Sequence, residues 1–219
     1  MDNKIVVLFN GAPASGKDTC ASIMKELFKD SEILAFKDTL YKDTAKLFGV
    51  DCKLFKEIAT DRDLKEKKTA LLRINTGGFI GYLKYLAGAI LQRYAYSPRE
   101  ALIYTSEKVI KPKYGLSYYG NKLAQDVLES DKEVFFVPDS GFIPELQPLV
   151  DAGHNILVVR LFRSGYSFEG DSRTQFEENE LIKMGVNFVN LHNDGDLEEL
   201  KESLISIAVD DVCPMFVQS

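Results

Sequence analysis

Fifteen residues near the start constrain this chain more than any others: Ile5-Val6-Val7-Leu8-Phe9-Asn10-Gly11-Ala12-Pro13-Ala14-Ser15-Gly16-Lys17-Asp18-Thr19. The first five are a continuous apolar run, as in a strand buried on both faces. Gly11 and Gly16 bound a turn, and a helical pattern follows. The spacing is G-x-x-x-x-G-K, with Asp18 where Ser or Thr is usual and Thr19 next. Such a turn gathers backbone N–H groups at the positive end of a helix dipole, which is a seat for phosphate. The glycines permit backbone bends and close approaches that a Cβ would obstruct. Lys17 adds an ammonium that can follow β- and γ-phosphates. The expected phosphate-binding residues are therefore Gly11, Ala14, Ser15, Gly16, Lys17, Asp18 and Thr19.

The rest of the chain alternates strands and helices. The helical period over 16–28 is followed by a short apolar run at 33–36. Asp38 is placed to cap a helix that Gly49 ends. Residues 50–68 are charged, compatible with helix and without a dominant apolar face, so a peripheral element is expected. Asn75-Thr76-Gly77-Gly78 is a break, and 79–94 reads as an apolar helix. Ser97-Pro98-Arg99-Glu100 is a helix start with a capping box, and that helix is expected to stop near Pro112. Further helices are expected over 118–128, 144–152 and 197–209. Strands are expected at 134–137, 155–162 and 186–191, with a polar, irregular stretch over 163–180 and a turn at Asn193-Asp194-Gly195. This alternation predicts an α/β fold, a doubly wound parallel sheet. Ligands of such sheets bind at the carboxyl ends of the strands, so Gly11–Thr19, Asp38, Asp139 and 160–173 are expected to converge there.

The 219 residues, 45% of them hydrophobic, suffice for one sizeable core, read as a single domain over 1–219. A net charge of −6 argues against a general nucleic-acid binder, which would carry a basic stripe. Cys20, Cys52 and Cys213 follow no metal-type spacing and fit a reducing compartment. No stretch has the length of a membrane span, and the first apolar run is too short for a signal peptide. A cytoplasmic setting is expected.

Several side chains suit phosphate chemistry. Asp18 either acts on a metal-bound water, with Thr19 keeping a phosphate contact, or interacts with the helix dipole as a capping group. Either way a cation is required between it and the phosphates, which implies Mg2+. Asp139 ends an apolar strand, where an acid can orient metal water or a substrate hydroxyl. Arg99, in the first turn of its helix, is placed for an anion such as an acceptor phosphate. Arg163 and Arg173 flank the irregular stretch and could supply cations around a moving phosphoryl group, whereas Arg160 reads as a strand-end residue. Tyr118 and Tyr119 open an amphipathic helix, a place more often used for core packing than for stacking on a base. His154 and His192 follow no catalytic or metal spacing.

The loop ending Gly-Lys-Asp-Thr resembles that of the phage deoxynucleoside monophosphate kinases. Further segments resemble the same family in the same order: Ser97-Pro98-Arg99-Glu100 with Ser106-Glu107, Val137-Pro138-Asp139, Val158-Val159-Arg160, and Asn193-Asp194-Gly195 with Leu197-Glu198-Glu199-Leu200. The resemblance implies a P-loop kinase fold with a helical acceptor-binding insertion over about 38–130 and a short lid over about 163–180. It implies an enzyme, often dimeric, that moves the γ-phosphate of ATP with Mg2+ onto a deoxynucleoside monophosphate, in the host cytoplasm if the chain is phage-encoded. The residues themselves cast Lys17, Arg163 and Arg173 in catalytic roles, and Asp18 and Thr19 as holding the metal, directly or through water. By the resemblance, Asp38, Leu40, Tyr41, Lys42, Arg99, Tyr119, Asp139 and Ser140 would hold the acceptor. The chain departs from the family at Gly141, where an arginine is frequent, at Tyr41, where lysine is common, and in the acid-rich segment 166–178. Those departures bear on the acceptor more than on the reaction. The alternatives are a P-loop kinase with another small-molecule acceptor, or a non-catalytic nucleotide-binding protein.

Overall fold

The structure, a computed structural model, describes residues 3–73 and 95–217. The expected break at 75–78 and helix at 79–94 lie outside the described residues. Five strands run in the order β1 (Ile5–Gly11), β2 (Ser31–Ile33), β3 (Val134–Ser140), β4 (Asn155–Phe162) and β5 (Asn187–His192). The described α-helices are α1 (Lys17–Leu27), α2 (Phe36–Phe48), α3 (Cys52–Thr60), α4 (Pro98–Tyr104), α5 (Tyr118–Glu129), α6 (Ile143–Asp151), α7 (Glu178–Lys183) and α8 (Leu197–Ile207). A π turn over Thr105–Ile110 and one α turn over Lys111–Tyr114 prolong α4. The chain divides into two compact units, Met1–Phe36 with Ser117–Ser219, and Lys37–Leu116.

The first unit holds the sheet. All pairings are parallel, in the order β2-β3-β1-β4-β5. The central strand β1 is buried along its whole length, which is why Ile5–Phe9 needs no polar alternation. Ile5, Val7 and Phe9 face a core with Cys20, Ala21 and Met24 of α1 and Leu200 and Leu204 of α8. Val6, Leu8, Phe135 and Val137 point the other way and are as fully buried. On that side α6 packs on β4, and α5 crosses α6. The crossing is close at Gly120, where a Cβ would stand 2.3 Å from the carbonyl oxygen of Glu145. Helices on both faces of a parallel sheet make this the doubly wound α/β fold that the alternation predicts.

In the second unit, Tyr41, Ala45 and Phe48 on one face of α2 meet Phe55, Leu72 and Ala101. The Tyr41 ring stands edge-on to Phe55 at 6.1 Å. Helix α4 opens with a capping box: Glu100 N donates to Ser97 Oγ and Ser97 N to the Glu100 carboxylate.

Four local expectations are corrected. Helix α2 begins at Phe36, so Asp38 lies within its first turn and does not cap it. The second strand is Ser31–Ile33, because only Leu34 N, donating to Phe136 O at 3.1 Å, continues its ladder before the chain turns into α2. Pro112 does not stop the helix after Ser97. The π turn before it widens the helix where the ring would otherwise meet a carbonyl four residues back. Strand β3 runs on through Pro138, Asp139 and Ser140. Val137 pairs with Leu8 and Ser140 with Asn10, so two residues bulge opposite Phe9, at a proline that could not have donated to the ladder. The charged stretch after Gly49 forms α3, capped by Asp51 and anchored by Phe55, which is fully buried. No described helix is long and apolar enough to cross a membrane.

Candidate phosphate-binding site

Strand β1 delivers the chain into a tight loop, and α1 leaves it. Gly16, with φ 109°, turns the backbone left-handed just before the helix, and Ala14 is also left-handed at φ 61°. A Cβ on Gly16 would stand 2.5 Å from the Asn193 amide nitrogen, and one on Gly11 would stand 2.6 Å from the Leu161 carbonyl oxygen. Both positions are therefore held to glycine by contact, and Gly16 also by conformation. The N-cap of α1 is Gly16, which has no side chain to cap the first turn, so the leading N–H groups of the helix adjoin the loop. Asp18 lies in the first turn of α1, behind the N-cap Gly16, and both it and Thr19 are exposed.

Lys17 is 6% exposed and folds back into the bend, donating to Gly11 O at 2.7 Å and Ala12 O at 2.6 Å. Burial, and then the Arg173 cation, pull its pKa down to about 8, although Asp18, Asp171 and Asp139 oppose the shift. The hydroxyl of Ser15 is buried with no hydrogen-bond partner among the described residues. A buried donor at the start of a helix whose N-cap is glycine, beside a desolvated ammonium, suits an anion.

Two asparagines hold the surroundings. Asn193, just after β5, donates to Ser15 O at 2.7 Å and closes the loop from the far edge of the sheet. Asn10, fully buried, donates to Thr174 O at 2.9 Å and accepts from Phe176 N at 2.8 Å and Gln175 Nε2 at 2.9 Å. It thereby pins the end of the irregular segment to β1. Neither is foreseen as functional from the sequence. The available signal is a lone amide closing an apolar strand for Asn10, and a strand-end amide before Asp-Gly for Asn193.

Among the other expected residues of this unit, Ser140 Oγ donates to Phe9 O at 2.8 Å, and Asp139 accepts from Phe36 N at 3.1 Å. Arg173 is held by Asp171 through Nε at 2.9 Å and Nη2 at 2.8 Å, and its charge senses Asp139 and Asp18 as well. Lys17, Asp18, Asp139, Asp171 and Arg173 thus share one electrostatic neighbourhood at the strand ends. Arg163 reaches Ala14 O at 3.4 Å and lies over the Tyr166 ring. Arg160 is buried and paired with Glu178 and with Asn190, a packing role at β4. Tyr119 is buried on α5 with its ring edge-on to Tyr118.

A cavity of about 290 Å3 adjoins Ala12, lined by Phe162, Arg163, Tyr166, Phe168, Gln175 and His192. The His192 ring stacks on Phe162 at 5.3 Å, and Ser164 N donates to Asp194 at 2.6 Å beside it.

Five expected acceptor residues belong to the second unit. Asp38 pairs with Lys56 at 2.8 Å, and Leu40 O accepts from Thr44 Oγ1 at 2.7 Å. Tyr41 is buried, Lys42 is exposed, and Arg99 is half-exposed and paired with Glu66 at 3.2 Å.

The lowered pKa of Lys17 has a sign that can be tested. In the folded protein the ammonium loses its proton near pH 8, whereas the unfolded chain keeps it to 10.5. Burial therefore opposes folding most below pH 8, and stability gains from this group as pH rises from about 8 to 10.5. An anion favours the charged form, so tripolyphosphate binding at pH 9 is expected to take up protons and to weaken by up to about tenfold per pH unit. Calorimetry in buffers of different ionisation enthalpy measures the uptake, and Lys17→Arg is expected to abolish it.

No protein-family model matches the sequence, and no curated protein matches it. Among solved structures the chain is similar to TT1252 from Thermus thermophilus, with 18% identity over 96% of this chain and 99% of that one, at a TM-score of 0.43. It is also similar to the dephospho-CoA kinase from Campylobacter jejuni, with 14% identity over 94% of this chain and 96% of that one, at a TM-score of 0.41. Likenesses this distant carry no weight for function.

Proposed function

We propose that this protein is a P-loop kinase that transfers the γ-phosphate of ATP to a small acceptor, and that the acceptor is a deoxynucleoside monophosphate. The phosphate loop carries this reading. It combines a helix start with glycine at the N-cap, an orphaned Ser15 hydroxyl and a buried Lys17 in one bend. The triphosphate takes the N–H groups of the bend, and Lys17 exchanges its bonds to Gly11 and Ala12 for phosphate oxygens. The donor base enters the cavity beside Ala12, against the stacked Phe162 and His192 rings.

Oxygen donors at the strand ends fit Mg2+, which takes one or two carboxylates and completes its shell with water and phosphate. Asp18, in the first turn of α1, would hold it, with Thr19 beside it. Bound there, Mg2+ would supply neutralisation of phosphate charge. An acceptor phosphate is already anionic and needs no strong base, so the chain's own task is positioning and charge neutralisation by Lys17, Arg163 and Arg173. The engagement of Asp139 with Phe36 N–H supports a positioning role for that carboxylate over a general base. The deoxynucleotide assignment rests on the resemblance, as do acceptor roles for Asp38, Leu40, Tyr41, Lys42, Arg99, Tyr119 and Ser140. Three free cysteines suit a cytoplasmic enzyme.

A panel of deoxy- and ribonucleoside monophosphates with ATP and Mg2+, assayed for ADP release, tests the proposal. Release is expected with at least one deoxynucleotide. Tight ATP binding with no release from any monophosphate would leave a nucleotide-binding protein. Loss of all turnover in Asp139→Asn would favour a hydroxyl acceptor.

A further inference from the structure

The side chain of Arg173 follows a path that depends on one missing atom. A Cβ on Gly141, in the turn after β3, would stand 2.5 Å from Arg173 Cβ, 2.5 Å from its Cγ and 2.7 Å from its Cδ. The aliphatic stem therefore lies directly across the bare glycine. Gly141 has no left-handed φ, so backbone conformation does not demand glycine there. The stem does. Thr174 N donates to Gly141 O at 3.1 Å, which fixes the two backbones against each other. Asn10 pins Thr174 and Phe176 behind them, so this end of the irregular segment is anchored to the sheet.

Asp171 sets the other end of the side chain. Its carboxylate accepts from Arg173 N and Nε at 2.9 Å each and from Nη2 at 2.8 Å, and its side chain is 13% exposed. A side-on pair of this kind uses the Nε–Nη2 edge of the guanidinium and turns the Nη1–Nη2 edge away from the carboxylate. The neighbouring Thr174 and Gln175 are bonded to Asn10, the residue directly before Gly11, which brings this end of the segment to the phosphate loop, and the charge of Arg173 accordingly bears on Lys17 and Asp18.

We propose that Gly141 and Asp171 are positioning residues for Arg173, forming a seat that fixes its guanidinium beside the phosphate loop, where it meets the transferring phosphoryl group. Gly141 supplies the channel for the stem and Asp171 orients the fork. Arg173 then acts as a fixed cation and not as one carried in by a closing loop. This rests on the kinase assignment above.

The test compares Gly141→Ala, Asp171→Asn, Arg173→Gly and the two double variants with Arg173→Gly. Asparagine at 171 can still accept from Arg173 N, so the local turn survives while the side-on ion pair is lost. Arg173→Gly is expected to lower kcat by about 10^3, as for other transition-state arginines. Gly141→Ala is expected to lower it by about 10^2 and Asp171→Asn by about tenfold, each with the KM for ATP within about threefold of the parent. In the Arg173→Gly background, neither substitution should cost more than about threefold, because the side chain they position is gone. Near-parental kcat in Gly141→Ala, or losses that add fully to that of Arg173→Gly, would overturn the seat. If the parent protein transfers no phosphate to any acceptor, the kinase assignment fails. The seat is then judged on inorganic tripolyphosphate binding, with Lys17→Ala as the control for the loop. Gly141→Ala and Arg173→Gly should each weaken that binding about fivefold to tenfold and non-additively, as for one charge-assisted contact. Unchanged binding in both would overturn the seat.

Discussion

Lys17→Ala is expected to remove phosphoryl transfer, lowering kcat by at least about 10^3, while the protein remains folded and somewhat more stable below pH 8. The two halves of that expectation share one cause. The ammonium is desolvated and lies close to the Arg173 cation, which is why its pKa falls to about 8. The folded state therefore bears a cost for keeping it charged, and alanine removes that cost. On the kinase reading, the same burial would make the charge effective toward a triphosphate, because little water screens it. Turnover of Lys17→Ala at a near-parental rate would refute the site. A fall in urea midpoint at pH 7 would instead show that the bonds to Gly11 O and Ala12 O outweigh desolvation.

Asn10→Leu should produce the largest loss of stability of any single polar substitution in the sheet. Leucine keeps the branching at Cγ but offers no polar atom. The buried N–H of Phe176 and the carbonyl of Thr174 would lose their partners, at a cost of ~2–5 kcal/mol for two unsatisfied groups. Urea unfolding measures the total. Native-state hydrogen exchange locates it, because the Phe176 amide should exchange faster than those of β1 and β4. If Asn10→Leu unfolds at the parental midpoint, Asn10 is not what holds the irregular segment down. Asn10→Asp should be worse, since a carboxylate would face the carbonyls of Thr174 and Ser140.

The features legible in the sequence are those with local causes. The bounds of β4 follow from an apolar run between Gly153 and a polar stretch. The start of α4 follows from Ser97, Pro98 and Glu100, whose capping chemistry spans four residues. The tight loop between β1 and α1 follows from two glycines and a lysine between a buried strand and a helix. Features fixed by distant partners were not legible. The Asn10–Phe176 bond joins residues 166 positions apart, and the Asn193–Ser15 bond joins residues 178 apart. No periodicity links such positions. The bulge at Pro138-Asp139 is invisible for the same reason, since register belongs to a pair of strands and not to one. Pro112 misled because a helix can widen to pass a proline when its neighbours hold the next turn in place. Gly141 looked like a departure from a family pattern, and only the path of the Arg173 stem gives it a physical reason.

The bond from Asn193 to Ser15 also bears on when the loop can take shape during synthesis. Gly11–Thr19 leaves the ribosome early, yet its closing contact comes from the turn after the last strand. Its own strand, β1, must first pair with β3 and β4, which lie more than a hundred residues downstream. A nascent chain ending before residue 193 therefore carries every residue of the phosphate loop without the bond that closes it. On the kinase reading proposed above, competence to hold a nucleotide would be acquired late, when the edge of the sheet is added, and an unfinished chain would gain little protection from cellular ATP.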